Sequence, residues 1–363
     1  MALVVMTCET QDAEIRYTLD GTDPTSSSSL FIEPFNASGV TVKARGFKPG
    51  LTPSDIATEV IPSEGPISWH KISQSVLADG VTAIVFGGDK WVIGGKSGKM
   101  AYSTDGLTWT AITQSALSGQ IKFLAYGNGK FVAVDSSPNA AYSTDGLTWT
   151  AITQSAIELG LSSVFFGAGK FLADGMTIDP GSGMLLNAMA YSTDGVTWTA
   201  IPQSAFSDDS ASIYCAAASE DSGRFVAAGA GGYSYRMAYS SPDGLSWTII
   251  NTISIQTYVD ALCYGAGKFL AGDRVGNLAY SIDGKYWNSI SQSAISGRFY
   301  SAAFVNSLFM LGGENGKLAY SSDGLTWTPI TQGSLSGNIL SICHGNGKFI
   351  ALDSTGAMAY CAS

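Results

Sequence analysis

Short runs of apolar residues, separated by glycine-rich turns, follow one another from residue 67 to the end of the chain. In one stretch these runs are IKFLAYG (121–127), KFVAV (130–134), AAYS (140–143) and LTWTAI (147–152). Each run has the length of a β-strand, and an Asp-Gly pair separates the last two. Asp-Gly between two such runs is a strong hairpin signal, because a type I′ turn needs positive φ at both central residues. The pattern therefore predicts four short antiparallel strands.

This four-strand unit repeats along the chain. The sixteen residues AYSTDGLTWTAITQSA occur at 101–116 and again, unchanged, at 141–156. The shorter pattern YSxDGxxW, with one inserted proline in its fourth copy, begins at Tyr102, Tyr142, Tyr191, Tyr239, Tyr280 and Tyr320. Four antiparallel strands repeated about every forty residues are typical of a β-propeller. Stacked blades bury faces that a single sheet would leave exposed.

One copy of the repeat is divided between the two ends of this region. Six complete YSxDGxxW boxes accompany seven copies of a second marker, YGxGKF and its variants. The residues MAYCAS (358–363) hold the first part of a further box, and ISWHKISQS (67–75) holds the rest. We therefore predict a seven-bladed propeller over 67–363, closed by pairing of its N- and C-terminal strands. The strand at 67–72 would complete the last blade and leave no open edge.

Residues 1–62 do not share this period and form a separate predicted domain, joined through a linker at 62–66. Alternating runs such as EIRYTLD (14–20) and GVTVKARGF (39–47) predict a small β-sandwich, so the whole chain is expected to be all-β. The stretches IRYTLDGTDPT and TVKARGFKPGLTPS resemble the Ig-like domain named after the C-terminal region of chitobiase and β-hexosaminidases. This resemblance implies an accessory spacer or binding module without catalytic residues.

The YSxDGxxW unit resembles the Asp-box, or bacterial neuraminidase repeat, of sialidase-like propellers. The usual pattern is Ser-x-Asp-x-Gly-x-Thr-Trp, and the spacing here is one residue shorter. Because the box is a fold motif, we expect its carboxylates to accept N–H bonds within their own hairpins rather than to bind metal or ligand. These carboxylates are Asp105, Asp145, Asp194, Asp243, Asp283 and Asp323. Sialidase likeness would also imply an arginine triad, a Tyr-Glu pair and a Tyr/Phe-Arg-Ile-Pro motif, and that motif is absent from the sequence.

Composition narrows the possible functions. The formal net charge is −10 and basic residues are scattered singly, which argues against nucleic acids and anionic membrane surfaces as partners. No apolar run is long enough to insert into a bilayer. Two histidines exclude a His-based metal cluster, and nothing in the sequence calls for a cofactor. Five cysteines without metal-ligand spacing, and an N-terminus without signal-peptide features, predict free thiols and folding in a reducing cytoplasm without Sec export.

Two neighbouring repeats break the symmetry and carry the first candidate site. The third repeat has a long segment at 173–189, and the fourth has longer segments at 207–223 and 228–237. Binding residues often collect on loops of a rigid scaffold, and Tyr233, Tyr235 and Arg236 offer stacking and hydrogen bonding to a sugar or protein. The alternative is that these segments are surface decoration without a ligand, or that they contact another copy of the chain.

A second set of candidates recurs a few residues after the aromatic residue of the second strand. If these charged residues ring the same face, near-identical blades would offer near-identical pockets to a multivalent glycan. Solvated rim charges are the alternative. The candidates are Lys96, Asp135, Asp174, Asp273, Arg274, Glu314 and Asp353.

These features favour a non-catalytic binding or adhesion module that recognises a carbohydrate or a cell-surface receptor. An accessory domain, free thiols and near-identical duplications suit a phage virion surface or tail component, located on the virion or an extracellular surface. One alternative is a structural decoration or assembly subunit that contacts other proteins of the particle. The other is a degenerate sialidase-like glycoside hydrolase.

Overall fold

The computed structural model describes residues 2–37, 40–61, 67–74, 76–153, 156–179, 181–202, 205–206, 212–231, 234–250, 255 and 257–362. The chain divides into two compact units, Met1–Ile67 and Ser68–Ser363. The linker predicted at 62–66 lies outside the described residues. Among the described residues, no helix has the length and apolar character needed to cross a membrane.

The smaller unit consists of two small β-sheets. Its strands are β1 (Ala2–Val4), β2 (Glu14–Thr18), β3 (Ser29–Leu30), β4 (Phe35–Ala37), β5 (Val40–Phe47) and β6 (Ala57–Ile61). Strand β1 pairs with β4, and the other four form an antiparallel sheet in the order β3-β2-β5-β6. Val4, Ala37 and Val42 form the buried centre. The alternation of apolar and polar residues in the sequence therefore matches a sheet with one face buried and the other exposed.

The larger unit consists of seven four-stranded antiparallel sheets in the part of the chain that the structure describes. We number these sheets 1 to 7 in the order in which their first long strands follow along the chain. Strand β7 (His70–Ile72) precedes all of them in the sequence but is the fourth strand of sheet 7. Sheets 1 and 2 contain β8 (Val81–Gly87), β9 (Lys90–Gly95), β10 (Met100–Ser103), β11 (Thr110–Ile112), β12 (Ile121–Gly127), β13 (Lys130–Asp135), β14 (Ala140–Ser143) and β15 (Thr150–Ala151). Sheets 3 and 4 contain β16 (Leu161–Gly167), β17 (Lys170–Ile178), β18 (Leu185–Ser192), β19 (Thr199–Ile201), β20 (Ser212–Ala218), β21 (Phe225–Gly231), β22 (Ser234–Ser240) and β23 (Trp247–Ile249).

Sheets 5 to 7 continue the same order of strands. They contain β24 (Val259–Gly265), β25 (Lys268–Asp273), β26 (Leu278–Ser281), β27 (Asn288–Ile290), β28 (Phe299–Val305), β29 (Leu308–Gly313), β30 (Leu318–Ser321), β31 (Thr328–Ile330), β32 (Ile339–Gly345), β33 (Lys348–Asp353) and β34 (Met358–Ala362). A short 3₁₀ turn, Glu314–Gly316, lies between β29 and β30. The extended segments with their glycine turns thus form the strand meanders that the repeat predicts.

Sheet 7 joins the two ends of the larger unit. Strand β34 pairs with β7 in antiparallel register, with Met358 opposite Ile72 and Tyr360 opposite His70. The pairing expected from the divided repeat is therefore present.

The first strands of neighbouring sheets pack closely at glycine. A Cβ on Gly87 would lie 2.0 Å from Cγ of Tyr126, and one on Gly345 would lie 2.1 Å from Cγ of Phe86. Glycine at this position lets an aromatic ring of the next sheet lie directly on the backbone. Sheet 7 uses the same contact against sheet 1 that sheet 1 uses against sheet 2.

The hydrophobic core lies between adjacent sheets. Val92 of sheet 1 packs with Ile121 and Phe131 of sheet 2, and Trp91 of sheet 1 packs with Ile350 of sheet 7. The strand-2 aromatics are almost completely buried. Each sheet therefore depends on its neighbour for burial, as stacked repeats do.

The box carboxylates close their own hairpins. Asp145 Oδ1 accepts N–H bonds from Leu147 and Thr148 at 2.8 Å each, and Ser143 Oγ accepts the N–H of Gly146 at 2.8 Å. The bond from the Thr148 N–H contributes most to lowering the pKa of Asp145, to about 2. Asp105, Asp194, Asp283 and Asp323 accept the same two N–H bonds. In the box with the inserted proline, Asp243 accepts only the N–H of Leu245, and the N–H of Ser246 donates to Ser241 Oγ. These residues hold turns, as the sequence predicts.

Candidate functional site

The loops between second and third strands share one end of the sheets with the segments that lead into the first strands. Gly98 N donates to Gly119 O at 2.6 Å, and Gly316 N donates to Gly337 O at 2.7 Å. We call this end the loop face. It comprises residues 96–99, 136–139, 274–277, 314–317 and 354–357, together with the residues that precede each first strand.

Three of the predicted aspartates occupy the same buried position at the end of a second strand. Asp135 is only 1% exposed, and the equivalent Asp273 and Asp353 are fully buried. Asp135 Oδ2 accepts N–H bonds from Ser118 at 3.0 Å and Gly119 at 2.8 Å. Burial raises the pKa of Asp135, but these and further N–H bonds outweigh it and hold the pKa below its ordinary value. These carboxylates therefore fix the loops of the loop face.

Asp174 lies one residue closer to the aromatic residue of its second strand than Asp135 does, and it is also buried. It accepts a hydrogen bond from Ser163 Oγ, and its Oδ2 accepts the N–H of Ile213 in the next sheet at 2.9 Å. Burial raises the pKa of Asp174 to about 6.

The prediction of an exposed ring of charges is thus corrected for four residues: Asp135, Asp174, Asp273 and Asp353 are buried. The physical reason is that the backbone N–H groups of the adjacent loops need acceptors, and these carboxylates supply them.

Lys96 and Glu314 do lie on the loop face with access to solvent. Lys96 is exposed, and Glu314 is half-buried, with its carboxylate next to Gly297. Arg274 is half-buried as well and belongs to the cluster described below. Lys96, Arg274 and Glu314 thus have access to solvent on the loop face, and their role in binding stays a prediction.

The candidates of the fourth sheet have different surroundings. Arg236 donates to the carbonyl of Ala205 at 3.1 Å, which ties it to the preceding segment. Tyr235 pairs with Ala230 in the β21–β22 ladder. Tyr233 lies outside the described residues.

The long segment predicted as a loop in the third repeat is mostly an extended hairpin. In the fourth repeat, residues 207–211 and 232–233 of the predicted segments lie outside the described residues, and strands β21 and β22 pair as far as Gly231 and Ser234. Strands β17 and β18 continue to Ile178 and Leu185 before the chain turns at Asp179, where Oδ2 accepts the N–H of Ser182 at 3.0 Å. Ile178, Met184 and Leu185 are exposed at this end. The insertions therefore extend the sheets beyond the loop face instead of forming irregular loops.

A cavity of about 400 Å³ lies between the first strands of sheets 2 to 7. Every described first strand carries a β-bulge near its start, after its second residue in β20 and after its first residue in the others. The bulged residues are Thr82, Lys122, Ser162, Tyr214, Asp260, Tyr300 and Leu340. Tyr214, Asp260 and Tyr300, from three consecutive sheets, line the cavity together. Bulges often re-aim a side chain towards a functional site.

Asp260 binds two arginines at this point. Arg274 Nε donates to Asp260 Oδ2 at 2.8 Å and Nη2 donates to Oδ1 at 3.1 Å, which is a bidentate pair. Arg298 Nη2 lies 2.6 Å from Oδ2 of the same carboxylate. The hydrogen bonds with Asp260 raise the pKa of Arg274 further above its ordinary value. One carboxylate therefore orients two guanidinium groups from different segments.

Tyrosine rings stack on both guanidinium groups. Arg274 Cζ lies 4.3 Å from the ring centroid of Tyr258 and 5.4 Å from that of Tyr214. Arg298 Cζ lies 4.3 Å from the ring centroid of Tyr300. Stacking of this kind adds cation–π attraction to the ion pair. We name the group the Asp260 cluster; its members are Tyr214, Tyr258, Asp260, Arg274, Arg298 and Tyr300.

Sequence reasoning identified Arg274 alone among these residues. Two signals could have found the others. Arginine is rare in the larger unit, with two of its four arginines at 274 and 298. Alignment of the repeats also places tyrosine or aspartate in sheets 4 to 6 where sheets 1 to 3 have Thr82, Lys122 and Ser162.

The described residues contain no group of three or more His, Cys, Asp and Glu side chains that could hold a metal ion. Both histidines contact aromatic rings: His70 lies 5.4 Å from the ring of Tyr360, and His344 lies 4.8 Å from that of Phe349. The side chains of the Asp260 cluster offer hydrogen bonds, charge and ring faces.

Comparison with known proteins supports both halves of the architecture. Residues 2–58 match the family model of the chitobiase/beta-hexosaminidase C-terminal domain, which confirms the Ig-like domain inferred from the sequence. No curated protein matches the chain.

Solved propeller structures are similar to the larger part of the chain. YCF48 bound to a D1 peptide is 17% identical, with a TM-score of 0.61 over 82% of this chain and 100% of that chain. The WD40 propeller domain of Doa1 is 12% identical, with a TM-score of 0.61 over 82% and 97% of the two chains. A catalytically inactive virginiamycin B lyase from Staphylococcus aureus with quinupristin is 10% identical, with a TM-score of 0.60 over 82% and 99%. These similarities show that the chain is all-β with a β-propeller fold.

Proposed function

We propose that the larger unit is a seven-bladed propeller with Asp-box-type hairpins, closed by the β34–β7 pair. The contact of Gly345 with Phe86 supports closure, because it repeats between sheets 7 and 1 the packing of Gly87 on Tyr126. Asn346 Nδ2 also donates to the carbonyl of Thr104 at 3.1 Å, across the same junction.

We further propose that this ring is a non-catalytic binding or adhesion module that recognises a carbohydrate or a surface receptor through its loop face. The Asp260 cluster is the observation that carries this proposal. Sheets 1 to 3 fold with Thr82, Lys122 or Ser162 at the bulge, so folding does not require the tyrosines and arginines of sheets 4 to 6. Charged and aromatic groups beyond the needs of the fold are typical of binding sites.

Binding suits the cluster better than hydrolysis does. Glycoside hydrolysis generally needs two carboxyl groups, one of which gives up or takes a proton. Asp260 accepts hydrogen bonds from two guanidinium groups, and no second carboxyl group lines the cavity among the described residues. A carboxylate held in this way positions the two guanidinium groups.

The proposed setting is a phage virion surface or tail, with folding in a reducing cytoplasm before assembly. The five cysteines are unpaired, and burial raises the pKa of Cys343 to about 12, which suits thiols that stay protonated. The Ig-like domain would serve as the accessory module. Detection of the chain in purified particles by mass spectrometry tests the setting, and its absence from them would refute it.

A structural or assembly subunit is the second candidate. The exposed Ile178, Met184 and Leu185 at the end of the β17–β18 hairpin favour it, because apolar side chains grouped at a surface often mark a protein contact.

A glycan array with the full chain separates the two candidates. Binding that is lost in Arg274→Ala and retained in Met184→Ser supports the carbohydrate function. Particle association that depends on Met184, with no glycan binding at high protein concentration, would instead establish the assembly role.

A further inference from the structure

We propose that the smaller unit binds an extended segment of another protein in a groove beside β1, where the segment adds a third strand to the β1–β4 sheet. The groove has a volume of about 410 Å³ and lies within the smaller unit. It is therefore separate from the Asp260 cluster and from the function proposed for the larger unit. We call it the strand groove; its lining residues come from 4–8, from β2 and β5, and from 54, 55 and 57–59.

The edge of β1 continues beyond the residues that pair with β4. That pairing ends at Val4. Exposure still alternates along the next four residues, because Val5 and Thr7 are exposed whereas Met6 and Cys8 are half-buried. No hydrogen bond joins the backbone of this segment to another described residue. Its N–H and C=O groups are therefore open to pairing with a further strand.

The floor of the strand groove is the face of the larger sheet that packs against β1. Val42 of this sheet packs with Val4 in the buried centre of the unit. Ala44 lies two residues along the same strand and is opposite Ala57 of the edge strand β6. Small side chains at both positions leave room above the sheet. A segment with apolar residues at every second position would cover this floor with one face and leave its other face in water.

The smaller unit buries few side chains without an added strand. Among the described residues, its hydrophobic core is Val4, Ala37 and Val42. Strands β1 and β4 form a sheet of two strands, and such a sheet is marginal in water until a third strand joins it. Small domains seldom bury enough apolar surface alone. A segment in the strand groove would therefore stabilise the unit as well as attach it to a partner.

The charge at the groove indicates the chemistry of the partner. Asp55 and Glu59 are exposed among the lining residues, and Arg45 donates from Nε to the carbonyl of Ser54 at 2.5 Å. Two carboxylates and one guanidinium sum to −1. A segment with a lysine or arginine is thus complementary to the groove. A second copy of the chain, with a net charge of −10, is less suited to it.

The experiment selects the segment from random heptapeptides displayed on yeast and sorted against the full chain. We expect the enriched peptides to carry apolar residues at alternate positions and a basic residue near one end. Isothermal titration calorimetry then measures the affinity of the synthetic peptide. Methylation of the backbone nitrogens that face β1 should weaken binding about tenfold or more, whereas methylation of the intervening nitrogens should change it less than about threefold.

Three variants locate the bound peptide. Ala57→Phe should weaken binding about tenfold or more, because the ring occupies the space above the floor. Val60→Phe is the matched control and should leave affinity unchanged, because Val60 is on the same strand, 65% exposed and outside the groove lining. Glu59→Gln should weaken binding about two- to threefold, as loss of a partly screened attraction predicts. Thermal melting of each variant establishes that it is folded.

The thiol of Cys8 provides a reading that needs no variant. Cys8 Sγ lies over the floor, 3.0 Å from the position that a Cβ on Gly46 would take. A peptide in the strand groove should therefore slow alkylation of Cys8, which peptide mapping by mass spectrometry measures. Unchanged alkylation of Cys8 under saturating peptide would place the peptide elsewhere and overturn the proposal.

The remaining outcomes each decide the matter. Enriched peptides without alternation, or peptides that tolerate methylation at every nitrogen, would show that no strand is added to β1. A sort that enriches the same peptides on the Ala57→Phe chain, or none on the parent, would also overturn the proposal. A dimer of the chain in analytical ultracentrifugation that Ala57→Phe dissociates would assign the groove to a second copy instead of another protein.

Discussion

Ala359, in the last strand of the chain, is paired with Lys71, in the first strand of the larger unit. This pair joins residues from opposite ends of the larger unit, and the side chains of Met358, Ala359 and Cys361 on the last strand are buried. The end of the chain is therefore part of the core, where a terminal segment is more often frayed.

Removal of residues 358–363 should destabilise the larger unit strongly. The deletion exposes the edges of β7 and β33 and removes three buried side chains, which together cost on the order of 5 kcal/mol. Thermal melting and light scattering should show a lower melting temperature and aggregation. A chain that ends at Cys361 is the control and should melt close to the parent. If the longer truncation melts like the parent, the β34–β7 pair does not support the fold.

Gly345→Ala should destabilise the junction between sheets 7 and 1. The new Cβ would lie 2.1 Å from Cγ of Phe86, so the ring must move, at a cost of about 1–3 kcal/mol. Urea unfolding measures the change in the free energy of unfolding. Gly333→Ala is the matched control, because no atom lies within 4 Å of its Cβ position. Equal midpoints for the two variants would contradict the close packing.

Asp145→Ala should weaken one box hairpin. Two backbone N–H groups, those of Leu147 and Thr148, lose their acceptor, and the expected loss is about 1–2 kcal/mol in the free energy of unfolding. The exposed neighbour Thr144 provides the control variant Thr144→Ala, which should change stability by less than about 0.5 kcal/mol. Retained stability in Asp145→Ala would show that the hairpin does not need its carboxylate.

Asp174→Asn should change how stability depends on pH. The pKa of Asp174 is raised from 3.8 to about 6 in the folded protein, so the folded state binds the proton more tightly than the unfolded state does. Its contribution to stability is complete below pH 3.8 and is lost as the pH rises through about 6. The whole contribution is about 3 kcal/mol, and about 2.4 kcal/mol of it is lost between pH 4 and pH 7.

The asparagine variant cannot titrate, so its free energy of unfolding relative to the parent should rise by about that amount between pH 4 and pH 7. Chemical denaturation at a series of pH values measures this difference. A constant difference across the range would show that the pKa of Asp174 is not raised in the folded protein.

The repeat made most of the fold predictable, because each turn residue recurs in the same local setting. The extended segments follow from the sequence of one repeat, since short-range backbone preferences decide them. The type I′ turn predicted at Asp-Gly is wrong, because Gly146 has positive φ and Asp145 does not; both central residues have positive φ instead at Asn128 and Gly129, between β12 and β13. The chain-end pair was predictable from the broken copy at 358–363 and 67–75. The Ig-like domain was recognisable from its own motif stretches.

The side of the protein that each charged residue faces was less predictable. Asp135 and Lys96 follow the second-strand aromatic at almost the same distance, yet Asp135 is buried and Lys96 is exposed. The register places Gly95, rather than Lys96, opposite Val81, as Asp135 lies opposite Ile121, so Lys96 is one residue beyond the position of Asp135. At that position the carboxylate of Asp135 accepts the N–H bonds of Ser118 and Gly119. The spacing of residues along one strand does not predict the position of the neighbouring loop that supplies those N–H donors.

The sequence by itself determined the strands, the turns, the period and the two domains, because these depend on residues close together in the chain. Only the tertiary structure brought Asp260 to Arg274 and Arg298, and placed Tyr214 and Tyr300 beside them. Asp260 and Arg274 flank the β24–β25 hairpin of sheet 5, whereas Tyr214 comes from sheet 4, and Arg298 and Tyr300 lie at the start of sheet 6. They meet because adjacent sheets place their first-strand bulges around one cavity, and that arrangement exists only after the sheets have packed together.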